Sequence, residues 1–145
     1  MNNFGTSELG AFDCIVCSHI LEHLYYPENL LIKLKHNLTP SGILIVALPN
    51  VLHWKQRLQF LRGRFRYTDG GLMDRTHFRF FDWQTALELL EKHGFTVTLR
   101  TAEGNFPLPI VRKLVPSVAS YVDKVATKAF PNLLGVQFIL VAHKT

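Results

Sequence analysis

The sequence predicts an α/β fold in which two parallel strands are joined by a helix. Two runs of strand length, residues 12–18 and 43–48, are almost continuously apolar, as is typical of strands buried on both faces of a sheet. The segment between them places Pro27 where a helix would begin and then repeats leucine at helical spacing. These leucines are Leu30, Leu31, Leu34 and Leu38. Together the three segments predict a β–α–β crossover.

The middle of the chain predicts two further helices on either side of an irregular segment. A basic helix is expected over residues 52–61, with Gly63 just beyond its end. Residues 64–81 are rich in aromatic, basic and turn residues without a clean period, which predicts an ordered loop. Asp82 is a good N-cap for the next helix, and Gly94 supplies its C-terminal stop.

The last third predicts two strands separated by a helical insertion. The third strand is expected from Phe95 to about Thr101, and the fourth over residues 135–142. Residues 104–132 contain prolines and a helical period, so we expect them to form an insertion within one domain that spans residues 1–145. Residues 1–10 are polar and without periodicity, which predicts a loop.

Composition and charge narrow the class of protein. With 145 residues, 48% of them hydrophobic, the chain can form one real core and is not of the disordered class. No basic-then-apolar leader opens the sequence, so we expect a cytoplasmic protein without membrane association. The net charge of +5 is concentrated in residues 55–79, which carry seven basic and two acidic residues. This concentration predicts a surface for an anionic substrate or partner, although a solvated helix face could account for part of it.

Two cysteines, Cys14 and Cys17, have the spacing of redox or zinc motifs. They lie within the first predicted strand, where residues three apart point to opposite faces of the sheet. The two thiols therefore cannot converge, and we expect both to be small buried residues of the core.

Several short segments, in this order and spacing, resemble class I S-adenosylmethionine-dependent methyltransferases. The likeness is closest to the group of small bacterial enzymes that includes ubiquinone-biosynthesis-like (type 11) methyltransferases. It covers only the C-terminal half of the family's fold. The segments are Phe12-Asp13, Leu21-Glu-His-Leu24, Pro40-Ser-Gly42, Leu48-Pro-Asn50, His53-Trp54, Arg57-Leu58, Gly63-Arg64-Phe65 and Asp74-Arg-Thr-His-Phe-Arg-Phe-Phe81.

The resemblance implies a partial Rossmann-like sheet of about four strands with flanking helices. The implied strand order is first, second, fourth, third, with the fourth strand antiparallel. It also implies S-adenosylmethionine as cofactor, bound in part by the turn that leaves the first strand. The cofactor-binding residues carried over are Cys17, Ser18, His19 and Glu22. The glycine-rich loop and the acidic residue that hold this cofactor in the family have no counterpart here, so a truncated copy or a non-catalytic remnant unable to bind cofactor alone is the alternative.

The activity implied is methyl transfer to a small, anionic metabolite or sugar-like acceptor by in-line displacement, in which the protein mainly positions the two reactants. His19 and His23 are the candidate catalytic residues, because histidine can accept a proton from a hydroxyl acceptor near neutral pH. The candidate substrate-binding residues are His53, Trp54, Arg57, Arg75 and His77. The interleaved aromatic and basic residues also suit RNA, which leaves an RNA-directed methyltransferase fragment as an alternative; nucleic acid is the less favoured partner.

Residues 19–23 also match the H-x-x-E-H signature of a metallopeptidase group. The motif follows directly on a buried strand instead of lying within a long helix, which argues against a peptidase. A divalent metal that assists methyl transfer is a further hypothesis, since the resemblance extends to some relatives with carboxylates and a histidine at this turn. It is weakened because the first position here is His19 and not glutamate. We therefore expect no metal. We do expect the first strand to form an exposed apolar edge through which the chain could form a homodimer.

Overall fold

The computed structural model of the chain describes residues 10–105, 107 and 113–145. Four strands and the helices between them alternate along the chain, and a short 3₁₀ helix follows the first strand. In order, the elements are β1 (Phe12–Ser18), the 3₁₀ helix (Leu21–His23), α1 (Pro27–Asn37), β2 (Leu38–Pro49), α2 (Trp54–Leu61), α3 (Trp83–Glu91), β3 (Phe95–Gly104), α4 (Pro116–Ala129), α5 (Pro131–Leu134) and β4 (Gly135–Lys144).

The four strands form one sheet in the order β1-β2-β4-β3. β1 pairs with β2 in parallel, and β4 lies antiparallel to both β2 and β3. Side chains of the two central strands supply the middle of the core, where Leu44, Val46, Leu48, Phe138 and Leu140 have no exposed surface. The predicted four-stranded sheet, its order and the antiparallel fourth strand are confirmed.

β2 begins at Leu38, five residues before its predicted start, so the last of the leucines predicted to lie in the helix belongs to the strand instead. The extension follows from tertiary pairing, because Leu38 is the partner of Phe12 in β1 and the register shifts before Cys14. Gly42 lies at this irregularity. A Cβ atom there would come within 2.9 Å of the carbonyl oxygen of Phe12, so only glycine lets the two backbones approach this closely.

The residues predicted to begin and end α3 do so in the structure. The carboxylate of Asp82 accepts hydrogen bonds from the backbone N–H groups of Gln84 and Thr85, and the Thr85 hydroxyl accepts one from the Asp82 N–H, which completes a capping box. Gly94 follows α3 with φ of +79°, a conformation that glycine adopts at little cost. The start of α3 and the turn after it were therefore predictable from short-range chemistry.

Residues 104–132, predicted as a helical insertion, contain α4 and the start of α5, whereas Gly104 is still the last residue of β3 and α5 continues to Leu134. Residues 106 and 108–112 lie outside the described part of the chain. The loop predicted at residues 1–10 lies outside it too, except for Gly10. That residues 1–145 form a single domain stays a prediction. Among the described residues, none of the helices combines the length and the apolar character that crossing a membrane requires.

β1 is an edge strand of the described sheet, with β2 as its neighbour on one side. Five of its seven residues are exposed, among them Val16 at 61% and Phe12 at 41%. Cys14 and Cys17 are free thiols on opposite faces, as predicted, but only Cys17 is buried. The expectation that Cys14 is also buried is wrong, because no described element packs over that face of the edge strand.

Asn50, directly after β2, has no exposed surface and all three of its side-chain hydrogen bonds go to the backbone. Its amide nitrogen donates to the carbonyl oxygens of Asn132 (3.0 Å) and Gly135 (2.7 Å), and its oxygen accepts from the N–H of Leu52 at 2.9 Å. One buried side chain thus joins the loop after β2 to the start of β4, and each polar group in this network is satisfied.

Replacing Asn50 with alanine should lower the free energy of unfolding by about 2–4 kcal/mol, because it leaves buried backbone groups without partners. Urea denaturation followed by circular dichroism measures this. The exposed Asn29 in α1 is the matched control, for which Asn29→Ala should change stability by less than about 0.5 kcal/mol. Equal effects of the two substitutions would contradict the structural role of Asn50.

The edge of β1 that no other described strand pairs with predicts self-association of the chain. Sedimentation velocity should show dimers or larger species that Val16→Lys dissociates, because a charge on an edge strand opposes strand pairing. Thr101→Lys, an exposed position on the opposite edge strand β3, is the control and should leave association unchanged. A monomeric wild-type chain would contradict the expectation.

Candidate functional site

A cavity of about 270 Å³ lies at the carboxyl ends of the parallel strands β1 and β2. This is the edge at which open α/β sheets bind ligands, because loops leaving neighbouring parallel strands diverge there. Its walls come from four separate segments: the turn after β1, the end of β2, the loop between α2 and α3, and the start of β4. The lining residues are His19, Glu22, His23, Pro49, Gly71, Leu72, His77, Val136 and Gln137.

His19, the first residue after β1, is held in a defined position. Its φ of +51° is unusual for a residue with a side chain, and its N–H donates to the carbonyl of Ala47 in β2 at 3.1 Å. Its ring nitrogens contact Glu22 Oε1 (3.1 Å) and Gln137 Oε1 (2.7 Å). The amide nitrogen of Gln137 donates to Glu103 Oε2 at 2.7 Å, which turns the amide oxygen toward the imidazole. Both ring nitrogens of His19 therefore face oxygen atoms of neighbouring side chains.

Glu22 is a fully buried carboxylate at the base of the cavity. One oxygen contacts His19, whereas the other, Oε2, has no hydrogen-bond partner among the described residues. The Cys17 thiol lies nearby in the core, and burial, with a smaller contribution from the Glu22 charge, raises its pKa to about 11. Cys17 is thus a protonated thiol at neutral pH. Of the residues predicted to bind cofactor, Ser18 and His19 are exposed, and Cys17 and Glu22 are buried.

His23 and His77 lie side by side although 54 positions separate them in the sequence. Their rings meet edge to face with centroids 4.7 Å apart. His23 Nδ1 lies 3.1 Å from the carbonyl oxygen of Thr76, and His77 Nδ1 lies 3.3 Å from that of Leu72. From the sequence, His23 is predicted to be catalytic and His77 to bind substrate. The structure places the two side chains in contact.

The turn after β1 and the loop before α3 are tied to each other through their backbones. The carbonyl oxygen of Glu22 accepts hydrogen bonds from the N–H groups of Phe78 (2.8 Å) and Arg79 (3.1 Å). The guanidinium of Arg79 donates twice to the carbonyl of Tyr25, at 2.7 and 3.1 Å, and the Tyr25 and Phe78 rings stack. The predicted ordered loop is therefore held against the turn that follows β1.

A second cavity, of about 410 Å³, adjoins the first and has a basic wall. Arg64 and Arg66 line it together with Gln56 and Gln59 of α2, and both cavities share Gly71 and Leu72. Neither arginine was among the predicted substrate-binding residues. The signal available in the sequence was the basic character of residues 55–79 as a whole, which does not distinguish one arginine from another.

The predicted substrate-binding residues are spread over several environments. His77 lines the first cavity, whereas His53, Trp54, Arg57 and Arg75 line neither of the two described cavities. The Nε of Arg57 donates to the carbonyl of Leu52 at 2.6 Å, which holds that side chain against its own helix start. The exposed Arg75 pairs with Asp69 at 3.1 Å. A role for these residues in substrate binding stays a prediction.

His53 precedes α2 and is only 3% exposed. Burial, with a smaller contribution from the nearby Lys55 charge, lowers the pKa of its imidazole. Its Nε2 atom is buried without a hydrogen-bond partner among the described residues, and the ring lies against Trp54 with centroids 5.7 Å apart. The lowered pKa keeps the ring neutral at pH 7.

Comparison with known proteins identifies the protein family of this chain. A family model described as "Methyltransferase domain" matches residues 2–99, about two thirds of the chain. The sheet with its antiparallel fourth strand belongs to a fold that solved S-adenosylmethionine-dependent methyltransferases share. The chain belongs to the methyltransferase-domain family, whose cofactor is S-adenosylmethionine. No curated protein sequence matches it at a significant level.

Solved structures share this fold at low sequence identity. A SAM-dependent methyltransferase from Archaeoglobus fulgidus is 18% identical, with a TM-score of 0.56 over 92% of this chain and 60% of that chain. One from Thermotoga maritima is 15% identical, with a TM-score of 0.57 over 93% and 57%. The magnesium protoporphyrin IX methyltransferase from Synechocystis PCC 6803 with bound SAH is 14% identical, with a TM-score of 0.52 over 97% and 48%. The chain thus spans between about half and three fifths of these structures.

The stability of the chain should fall as the pH is lowered from 7 to 5, in part because of His53. The unfolded chain binds a proton at this imidazole near its ordinary pKa of 6.5, whereas the folded chain, with a lowered pKa, binds it less readily. Unfolding therefore takes up a proton below pH 6.5. Urea denaturation at pH 7 and pH 5 should show a smaller loss for His53→Gln than for wild type. His36→Gln, at an exposed position of α1, is the control and should lose as much stability between pH 7 and pH 5 as wild type does. If His53→Gln lost as much stability as this control, His53 would not be a source of the pH dependence.

Proposed function

We propose that this chain takes part in methyl transfer from S-adenosylmethionine to a small, anionic acceptor. The observation that carries the proposal is the adjacency of the two cavities across Gly71 and Leu72. One opens at the sheet edge where this fold class binds its cofactor, and the other is walled by Arg64 and Arg66. Its volume of about 410 Å³ suits a small molecule.

The described residues fit one side of a cofactor site. Ser18 and His19 are exposed at the carboxyl end of β1, beside an open cavity, and the backbone of His19 is held in place by β2. These two residues, with the buried carboxylate of Glu22 behind them, are the ones that would hold S-adenosylmethionine. When bound, that cofactor supplies an electrophilic methyl group on a sulfonium.

The chain's own residues would mainly bind and orient the acceptor. Arg64 and Arg66 can hold a carboxylate or phosphate, since guanidinium groups pair with such anions in fixed geometry. The loop between α2 and α3, held by its hydrogen bonds to Glu22, would bring the acceptor toward the sheet edge and limit access of water. His19 has both ring nitrogens against oxygen acceptors, which supports a positioning role for it. Catalytic roles of His19 and His23 stay predictions.

Arg64→Gln/Arg66→Gln should raise the KM for anionic acceptors about 10-fold, because it removes charge-assisted hydrogen bonds from a solvent-accessible wall. The measurement is transfer of radiolabelled methyl from S-adenosylmethionine to a panel of small carboxylates, phosphates and their neutral analogues. Arg62→Gln is the matched control, since Arg62 is an exposed arginine of the same segment that lines neither cavity. It should leave KM within about 2-fold of wild type.

Calorimetric titration of the same chain with S-adenosylmethionine separates the alternatives. Saturable binding with one equivalent supports the proposal. Absence of binding would favour a remnant that cannot hold the cofactor alone. A different result is that both the wild type and the double variant methylate neutral and anionic acceptors equally well. The proposal of an anionic acceptor would then be wrong, whereas the proposal of methyl transfer would still hold.

A further inference from the structure

Glu22, His23 and His77 form a compact set of metal-binding side chains. One ligand atom from each lies within 4.8 Å of the other two. Glu22 and His77 are buried and His23 is half-buried, and all three line the 270 Å³ cavity at the carboxyl ends of β1 and β2. We propose that these three residues bind a divalent transition-metal ion.

The two imidazoles are arranged as metal ligands are in known sites. Each ring directs Nδ1 at a backbone carbonyl oxygen, that of Thr76 for His23 and that of Leu72 for His77. A carbonyl only accepts, so these contacts place the proton on Nδ1 and leave the lone pair on Nε2. Hydrogen bonding of the other ring nitrogen to a carbonyl or carboxylate is what orients ligating histidines and raises their basicity.

The carboxylate of Glu22 supplies a second, independent observation. Its Oε2 is buried and has no hydrogen-bond partner among the described residues, a costly arrangement for a group that can carry charge. Its Oε1 contacts the ring of His19, which fixes the orientation of the carboxyl group. A cation in contact with Oε2 would satisfy the oxygen that the described residues leave unpaired.

The ligands are also held together by the backbone. His23 follows Glu22 directly, and the carbonyl of Glu22 accepts hydrogen bonds from Phe78 and Arg79, the two residues after His77. The hydroxyl of Thr76 lies 3.0 Å from His23 Nδ1, so the loop that carries His77 also orients the other histidine. The site is therefore preformed, and metal binding need not order a mobile segment.

The types of ligand atom indicate which metal ions the site would prefer. Two imidazole nitrogens and one carboxylate oxygen suit Zn²⁺, Mn²⁺, Fe²⁺ or Co²⁺, whereas Mg²⁺ and Ca²⁺ prefer all-oxygen sites. With three protein ligands the ion would keep positions for water or a substrate oxygen. The sequence favoured a site without metal because His19 occupies the first position of the motif. In the proposed site the third ligand is His77, and His19 orients the carboxylate through its contact with Oε1.

The proposal rests on these three side chains and holds whether or not the chain transfers a methyl group. It does bear on His23, because a lone pair bound to a metal is not available to accept a proton from a substrate. A metal-bound His23 would therefore be a ligand and not a general base.

Titration of the metal-free chain with Co²⁺, followed by its visible absorption, and with Zn²⁺, followed by calorimetry, tests the site. Wild type should bind one equivalent of each. His23→Ala and His77→Ala should each weaken binding by about 100-fold or more, since loss even of residues that orient ligands costs about 10- to 100-fold. His36→Ala and His143→Ala, which remove histidines outside the cavity, should bind as wild type does.

Thermal unfolding in the presence of excess Zn²⁺ gives a readout that does not depend on activity or on absorption. At 100 times the Kd, Zn²⁺ should raise the Tm of wild type by about 5 °C or more and leave that of His23→Ala unchanged. His23 is half-buried, so this variant should fold even if His77→Ala does not. Three results would each overturn the proposal. The first is that wild type binds no metal, and the second is that His36→Ala loses as much metal affinity as His23→Ala. The third is that Mg²⁺ displaces Co²⁺ at equal concentration.

Discussion

Burial of β2 between β1 and β4 is the constraint on which the rest of the structure depends, because its apolar side chains have no other place to avoid water. Its parallel register aligns Ser18 with Ala47, and its antiparallel register aligns Pro49 with Gln137. The turn after β1 and the start of β4 are thereby brought to the same end of β2. The cavity at that end, and the contact between His19 and Gln137, follow directly from these two registers.

The site itself is built by loops whose backbones are hydrogen-bonded to one another. The Glu22 carbonyl binds the loop before α3, and the Asn50 side chain binds the loop after β2 to the start of β4. Such anchoring leaves side chains free to line the cavity while the backbone stays fixed. It also fixes the buried carboxylate of Glu22 close to His23 and His77, the two histidines of the proposed metal site.

Much of the fold was predictable, and the failures have a common origin. Apolar runs identified the strands, and Asp82 and Gly94 identified the limits of α3, since these signals act over a few residues. The start of β2 was misplaced because Leu38 becomes strand only by pairing with Phe12. Cys14 was expected to be buried, but it is exposed. Its burial would require another element to cover that face of β1, and the local sequence does not show whether such an element is present. In the candidate site, Arg64 and Arg66 were overlooked because a basic segment does not reveal which arginines face a cavity.

The sequence by itself determined the class of fold, the order of its elements, the basic character of the segment after β2 and the residue types available for chemistry. These properties are encoded in periodicity, capping and local charge, which act between neighbours in the chain. Only the tertiary structure decided that His77 joins Glu22 and His23, and that the arginine-lined cavity adjoins theirs. The physical reason is that contact between residues more than fifty positions apart depends on strand register and loop anchoring, neither of which leaves a periodic pattern in the sequence.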